Sequence, residues 1–312
     1  MSKKLMLLVN PYSGRGISKT TLGDIVTQFA ERDFVVSVFL TKVRSVAAIV
    51  SDNAGDYDMI VCVGGDGTLS DVVTGLMQMP LEKRPPIGYI PMGTANDMAT
   101  TLALSRDLNT AVDTILDGPL VDLDVGSYNG QTFTYIAAFG AFTGISYSTP
   151  QSAKRALGHL AYVVSGLAGF ADIKPKKVRV EYDEGVIEDS FIFGGVTNTT
   201  SVAGLVRLRS PNIDLSDGKF EVILVRNPVK LRDLMEIVSA ITTNAYYSDN
   251  IRLIQTSHAK FTFEEPVAWT RDGENGGTHR EIVIENHAKA IQIHIPEEDE
   301  PLELLQSSQI FH

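Results

Sequence analysis

The sequence predicts an α/β protein in two parts: an N-terminal doubly wound, mainly parallel sheet domain over residues 1–125 and a C-terminal antiparallel β domain with inserted helices over residues 126–295. Three observations carry this reading. Apolar strand-like runs alternate with helical patterns at the start of the chain, strand signals follow one another with hairpin-like breaks after about Val121, and glycine-rich turns sit where strands meet helices in the first half. A tail over 296–312, acidic at Glu297–Glu300 and amphipathic from Leu302 to Phe311, is expected to pack back on the first domain.

In the first half the expected strands are Leu5–Val9, Val35–Leu40, Met59–Val63 and Ile87–Ile90, and the expected helices are Ser18–Arg32, Val46–Asn53, Leu69–Met79 and Asp97–Leu104. Such alternation makes βαβ units, whose ligands bind at the carboxyl ends of the strands. The second half gives strands at Lys177–Tyr182, Val186–Phe193, Phe220–Val225, Ala259–Phe263, Glu281–Glu285 and Ala290–Ile295, with a turn at Asp183–Gly185. Helices are expected near Ser152–Gly169 and at Leu231–Thr243.

Composition narrows the function. A chain of 312 residues with 44% hydrophobic and 21% charged residues is globular, long enough for two cores. Its net charge of −11 argues against nucleic acid as a partner and against strong general attraction to anionic membranes. The single cysteine, Cys62, lies in an apolar run and reads as a core residue in a reducing compartment. No stretch reaches the length of a membrane span, and the amino terminus reads as a first strand. The histidines His159, His258, His279, His287, His294 and His312 show no zinc spacing, and there is no Gly-x-Ser-x-Gly elbow of a hydrolase.

The chemistry lies in three βα turns: Asn10-Pro11-Tyr12-Ser13-Gly14, Gly64-Gly65-Asp66-Gly67-Thr68 and Gly93-Thr94-Ala95-Asn96-Asp97. Glycines let backbone amides approach an anion, and the helix amino termini that follow favour negative charge. Three such turns on one sheet edge suggest a phosphate cradle. It is neither a P-loop nor a dinucleotide fingerprint, since the third dinucleotide glycine and any Gly-Lys-Ser/Thr are missing. In the second half, Asp214-Leu215-Ser216-Asp217-Gly218 reads by itself as a turn and lacks the Glu of an EF-hand, and Asp272-Gly273 reads as a hairpin turn.

Together these segments resemble the superfamily of diacylglycerol kinases, sphingosine kinases, NAD kinases and phosphofructokinases, and most of all the soluble bacterial diacylglycerol kinases. Tyr147-Ser148-Thr149-Pro150 and Gly276-Gly277 fit the same pattern, which covers nearly the whole chain. The resemblance implies a lipid kinase that moves the γ-phosphoryl group of ATP to diacylglycerol or a similar lipid, giving phosphatidic acid, with ATP between the two domains. It implies nucleotide contacts from Asn10, Pro11, Tyr12, Ser13, Gly14, Thr41, Gly64, Gly65, Asp66, Gly67, Thr68, Leu69, Ser70, Thr94, Asn96 and Glu274. Asp272 matches the family's base, Asp66 and Asp97 match carboxylates that organise Mg²⁺ and water, and Asp214, Asp217 and the carbonyl of Lys219 match a structural Mg²⁺ site. It also suggests a cytoplasmic homodimer that touches the membrane peripherally and transiently to reach its lipid.

The chain departs from the family at Asp71, where Glu is common, at Thr100, where an Arg often stands and for which Arg15 is a substitute, and at Ser165, where close relatives carry Lys. The apolar segment Leu157–Phe170 fits either a lipid-slot wall or a buried helix. Two rival functions are a kinase acting on NAD or a sugar phosphate and a regulator that has lost catalysis. Asp272→Asn is expected to lower turnover with folding intact, and Gly65→Val to block the cradle by its bulk and by resisting a left-handed backbone.

Overall fold

The computed structural model describes residues 2–14, 16–41, 45–140, 174–199, 201–202, 206–207, 214–243 and 248–297. The first half builds β1 (Lys3–Val9), α1 (Lys19–Glu31), β2 (Phe34–Leu40), α2 (Val46–Asn53), β3 (Met59–Gly64), α3 (Asp66–Met77), β4 (Ile87–Pro91), α4 (Asp97–Thr101) and α5 (Leu108–Asp117). Strands β2, β1, β3 and β4 are parallel neighbours in that order. Leu5 to Val9 are fully buried because helices cover both faces. Ser18 caps α1 through the Thr21 amide, and Asp107 caps α5 through the Thr110 amide. Helix α3 starts at Asp66, three residues before the expected Leu69, because Gly65 already serves as its cap.

The second half contributes β5 (Leu120–Tyr128), β6 (Gln131–Phe133), β7 (Ile136–Gly140), β8 (Lys176–Tyr182), β9 (Gly185–Thr197), the short β10 (Ser201–Val202) and β11 (Val206–Arg207), β12 (Phe220–Arg226), α6 (Leu231–Thr243), β13 (Ile251–Thr256), β14 (His258–Arg271) and β15 (Glu274–His294). The pairings here are antiparallel. Trp269 anchors the core of this half among Phe139, Phe261, Phe263 and Tyr128. Pro266 falls where the β14–β15 register shifts, the place where a strand tolerates a residue with no amide proton.

The strands Glu281–Glu285 and Ala290–Ile295 are one strand, β15, whose pairing with β5 is interrupted between His287 and Ile291 where Lys289 takes a positive φ of 51°. That strand also meets β4 at Ile293↔Ile87, so one sheet is continuous through both halves in the order β13-β12-β9-β7-β14-β15-β4-β3-β1-β2. The boundary expected at 125/126 falls inside β5. The expected helix Ser152–Gly169 and the tail beyond Glu297 lie outside the described residues.

Candidate functional site

Strands β1, β3 and β4 end at one sheet edge, and their turns are locked to one another. The Asn10 amide donates to Val63 O and the Met92 amide to Gly64 O. The Asn10 side chain accepts from the Tyr12 amide at 3.0 Å and donates to Thr68 Oγ1 at 3.1 Å, so it braces the first turn against α3. Gly14, at φ 58°, leaves no room for a side chain because a Cβ there would collide with the Met92 carbonyl. A Cβ on Gly93 would lie 2.6 Å from Gly65 Cα, and one on Gly64 would lie 2.6 Å from Thr68 Cβ. The backbones of the second and third turns therefore touch.

Behind these turns, Asn96 is buried at a positive φ of 55°, donates to Gly93 O at 3.0 Å and accepts from the Tyr89 hydroxyl at 3.4 Å. Asp66 accepts from the Met98 amide at 3.2 Å, which ties the second turn to α4, and Asp97 is buried at the start of that helix. Thr41 closes β2 with its amide on Val9 O, beside the first turn. Exposed Tyr12 and Thr94 and part-exposed Pro11 and Ser13 line the rim, whereas the Leu69 side chain faces the core. The first amides of α3, at Asp66 and Gly67, belong to the turn of a helix that has no intrahelical partners. The surface at this sheet edge is thus mostly backbone, with Asp66 half-buried at the start of α3.

Asp272 and Gly273 form the two-residue turn between β14 and β15, with Arg271 paired to Glu274 and positive φ at both turn residues. This is the hairpin expected of Asp-Gly. The turn folds back on the first half: Asp272 is only 7% exposed, its amide donates to Ile136 O at 2.8 Å, and Ser70 Oγ of α3 donates to its Oδ2 at 2.6 Å. The amides of Thr134, Tyr135 and Ile136 complete its coordination. Burial pushes the Asp272 carboxyl upward, against the pull of these donors. Glu274 is exposed at the same mouth and, after crowding by the protein, is the next cause that pushes the Asp71 carboxyl upward, while Arg271 opposes both.

A second carboxylate, Asp124 in β5, escaped the sequence reading. It is 2% exposed and accepts from the Gly218 amide at 2.7 Å, the Lys289 amide at 2.8 Å and Asn286 Nδ2 at 3.1 Å. The signal was present, as an Asp inside the otherwise apolar strand pattern Leu123-Asp124-Val125. Asp124 fixes the loop that carries Asp214 and Asp217, both exposed. Their Oδ1 atoms accept locally, Asp214 from the Ser216 amide and hydroxyl and Asp217 from the Lys219 amide. Among the described residues no group of three or more His, Cys, Asp or Glu side chains gathers as a metal cage.

The two halves match known domains. Residues 4–128 match the diacylglycerol kinase catalytic domain, and residues 143–294 match the YegS C-terminal NAD kinase beta sandwich-like domain. The chain is 32% identical over 279 residues to the diacylglycerol kinase of Bacillus subtilis, covering 88% of this chain and 91% of that protein. It is 32% identical over 309 residues to the diacylglycerol kinase of Staphylococcus carnosus, covering 98% and 99%. A solved diacylglycerol kinase structure from Bacillus anthracis superposes with a TM-score of 0.72 at 23% identity over 94% of this chain and 97% of that one, a likeness of fold. By its matched domains and its relatives, the chain belongs to the diacylglycerol kinase family of lipid kinases.

Proposed function

We propose that the protein transfers the γ-phosphoryl group of ATP to a hydroxyl of diacylglycerol or a similar lipid, giving phosphatidic acid. The observation that carries this is the position of Asp272, whose carboxylate is bonded to Ser70 on the helix that opens at the glycine turns. A proton acceptor thereby stands beside a surface of backbone amides suited to phosphates. Phosphoryl transfer needs little more, since positioning and charge neutralisation dominate its barrier.

In this reading the lipid oxygen bonds to the γ-phosphorus as the bond to the β-phosphate oxygen breaks, ADP leaves, and the hydroxyl proton goes to Asp272. The Gly65 and Gly93 turns hold the phosphates, and the Asn10–Thr68 bond fixes the first turn against the helix that opens at Gly65. Asp66 and Asp97, on neighbouring turns of the same sheet edge, would help hold a metal and its water. The Asp214–Asp217 loop would hold a hard cation through its two exposed carboxylates and a backbone carbonyl. Magnesium bound at these places would neutralise phosphate charge and stiffen the loop. No helix among the described residues is long and apolar enough to cross a membrane.

The test is a phosphorylation assay with ATP and Mg²⁺ against diacylglycerol, monoacylglycerol, phosphatidylglycerol, a sphingoid base and a polyprenol, with NAD and a sugar phosphate as rivals. Diacylglycerol is expected to be labelled. Labelling of NAD or a sugar phosphate with none of the lipids would overturn the reading.

A further inference from the structure

The Asp272 carboxylate has no vacant acceptor site. Its Oδ1 takes the amides of Tyr135 at 3.0 Å and Ile136 at 3.1 Å, and its Oδ2 takes the amide of Thr134 at 2.7 Å and the hydroxyl of Ser70 at 2.6 Å. A carboxylate offers about four lone-pair sites, and four donors fill them. A lipid hydroxyl that is to lose its proton to this group must therefore displace a donor or pass the proton through one.

The four donors are not equivalent. Three are backbone amides on successive residues of one turn, and that turn is clamped from the other side because the Asp272 amide itself donates to Ile136 O. An amide cannot exchange its proton within a catalytic step, and none of the three can leave without unravelling the turn. The fourth is a hydroxyl, which gives up one proton as it takes another and rotates about a single bond. It belongs to Ser70, one helical turn beyond Asp66, so both side chains lie on the same face of α3. The hydroxyl thus touches the carboxylate from the helix face that also carries Asp66 of the glycine turn.

We propose that Ser70 relays the substrate proton to Asp272. The inference rests on the reading of Asp272 as the proton acceptor. As the lipid oxygen bonds to the γ-phosphorus and the bond to the β-phosphate oxygen breaks, the lipid proton passes to Ser70 Oγ while the Ser70 proton passes to Asp272 Oδ2. The carboxyl is left neutral, Ser70 is left a hydroxyl, and the proton returns to water by the reverse path once phosphorylated lipid and ADP have gone. Ser70, assigned by resemblance to the nucleotide, then acts on the acceptor lipid.

The experiment compares Ser70→Ala, Ser70→Thr and Asp272→Asn with wild type, using diacylglycerol in mixed micelles and either ATP or its slower γ-thio analogue, which makes the chemical step limiting. Melting temperature is recorded for each. Expected are a fall in kcat of about 10²-fold or more for Ser70→Ala with the KM for ATP within about threefold of wild type, and recovery of most of the rate in Ser70→Thr, on the usual scale of acid–base catalysis. With the thio analogue the rate of wild type should depend on solvent deuterium fraction with the curvature of two protons in flight. In Ser70→Ala that dependence should be linear. A folded Ser70→Ala enzyme that keeps kcat within about threefold, or a linear dependence in wild type, overturns the relay. If Asp272→Asn is dead while Ser70→Ala is active, only the relay falls. If Asp272→Asn is active, the acceptor assignment falls with it.

Discussion

Gly93 belongs to the turn after β4 and Gly65 to the turn after β3, yet a methyl group on Gly93 would stand 2.6 Å from the Gly65 Cα and 2.5 Å from Asn96 Oδ1. Neither neighbour can yield easily, one being backbone and the other a buried side chain held to Gly93 O. Gly93→Ala should therefore separate the turns and weaken ATP binding by at least about tenfold, a loss of roughly 1.4 kcal/mol. Calorimetric titration with ATP checks this, and unchanged affinity in a folded variant would put the nucleotide elsewhere. The same contact corrects the expected reason for Gly65: its backbone is ordinary extended chain at φ −101°, so Gly65→Val fails by contact with Gly93, 3.1 Å from a Cβ, and not by handedness.

Asp272→Asn is less gentle than the sequence suggests. An amide NH₂ in place of either carboxylate oxygen would point a donor at two donors already there, at a residue that is nearly buried. The variant should lose about 1–3 kcal/mol of stability as well as about 10²-fold or more of turnover. Denaturant titration alongside the kinase assay separates the two. A variant as stable as wild type would show that the donors rearrange.

Glu221 on β12 is 3% exposed, and burial pushes its carboxyl up to about 7, with Asp217 adding to the rise and the Gln255 amide opposing it. A carboxyl with a raised folded value favours the protonated state, so its contribution to stability is complete at acid pH and is lost as the pH climbs through about 7. Glu221→Gln removes that loss. It should match wild type near pH 4.5 and exceed it by roughly 3 kcal/mol near pH 8, by the conversion of pKa shift to free energy. Equal stability of the two proteins at both pH values would place Glu221 in a wetter setting.

Asp124 and Asp217 should behave differently when truncated. Asp124→Ala strands the Gly218 and Lys289 amides and the Asn286 side chain, and should cost about 3 kcal/mol or more. Asp217→Ala removes one acceptor at the surface and should cost under about 1 kcal/mol without Mg²⁺. If the loop binds the ion, Mg²⁺ raises the melting temperature of wild type and leaves that of Asp217→Ala and Asp214→Ala unchanged. An equal rise in all three would take the ion away from this loop.

Much of this was legible in the residues. Helices α2 and α6 start and stop where the pattern puts them, and β1, β3 and β4 show as apolar runs because parallel strands are buried on both faces. The glycine turns could be read because their constraint is local. Asp272 could be found by motif, but its saturation could not, since three of its donors are amides some 136 to 138 residues away in sequence. Asp124 was missed for the same reason: its partners come from Gly218, Asn286 and Lys289, which no periodicity connects. Helix α5 passed unnoticed although Leu108, Ala111, Val112, Ile115 and Leu116 recur at helical spacing and its Asp107 cap bonds Thr110 in the expected way.

Strand β15 begins at the Asp272 turn and reaches β4 only at Ile293, so the parallel sheet of the first half borders on a strand made long after it. On the ribosome, β4 must wait with one edge unpaired while the second half is synthesised, although its other neighbour, β3, is already present. An unpaired edge of this kind invites the wrong strand. The same arrangement ties completion of the first half's sheet to closure of the hairpin that carries Asp272, so a nascent chain acquires the buried Asp272 carboxylate and its finished sheet together, and a half-made chain has neither.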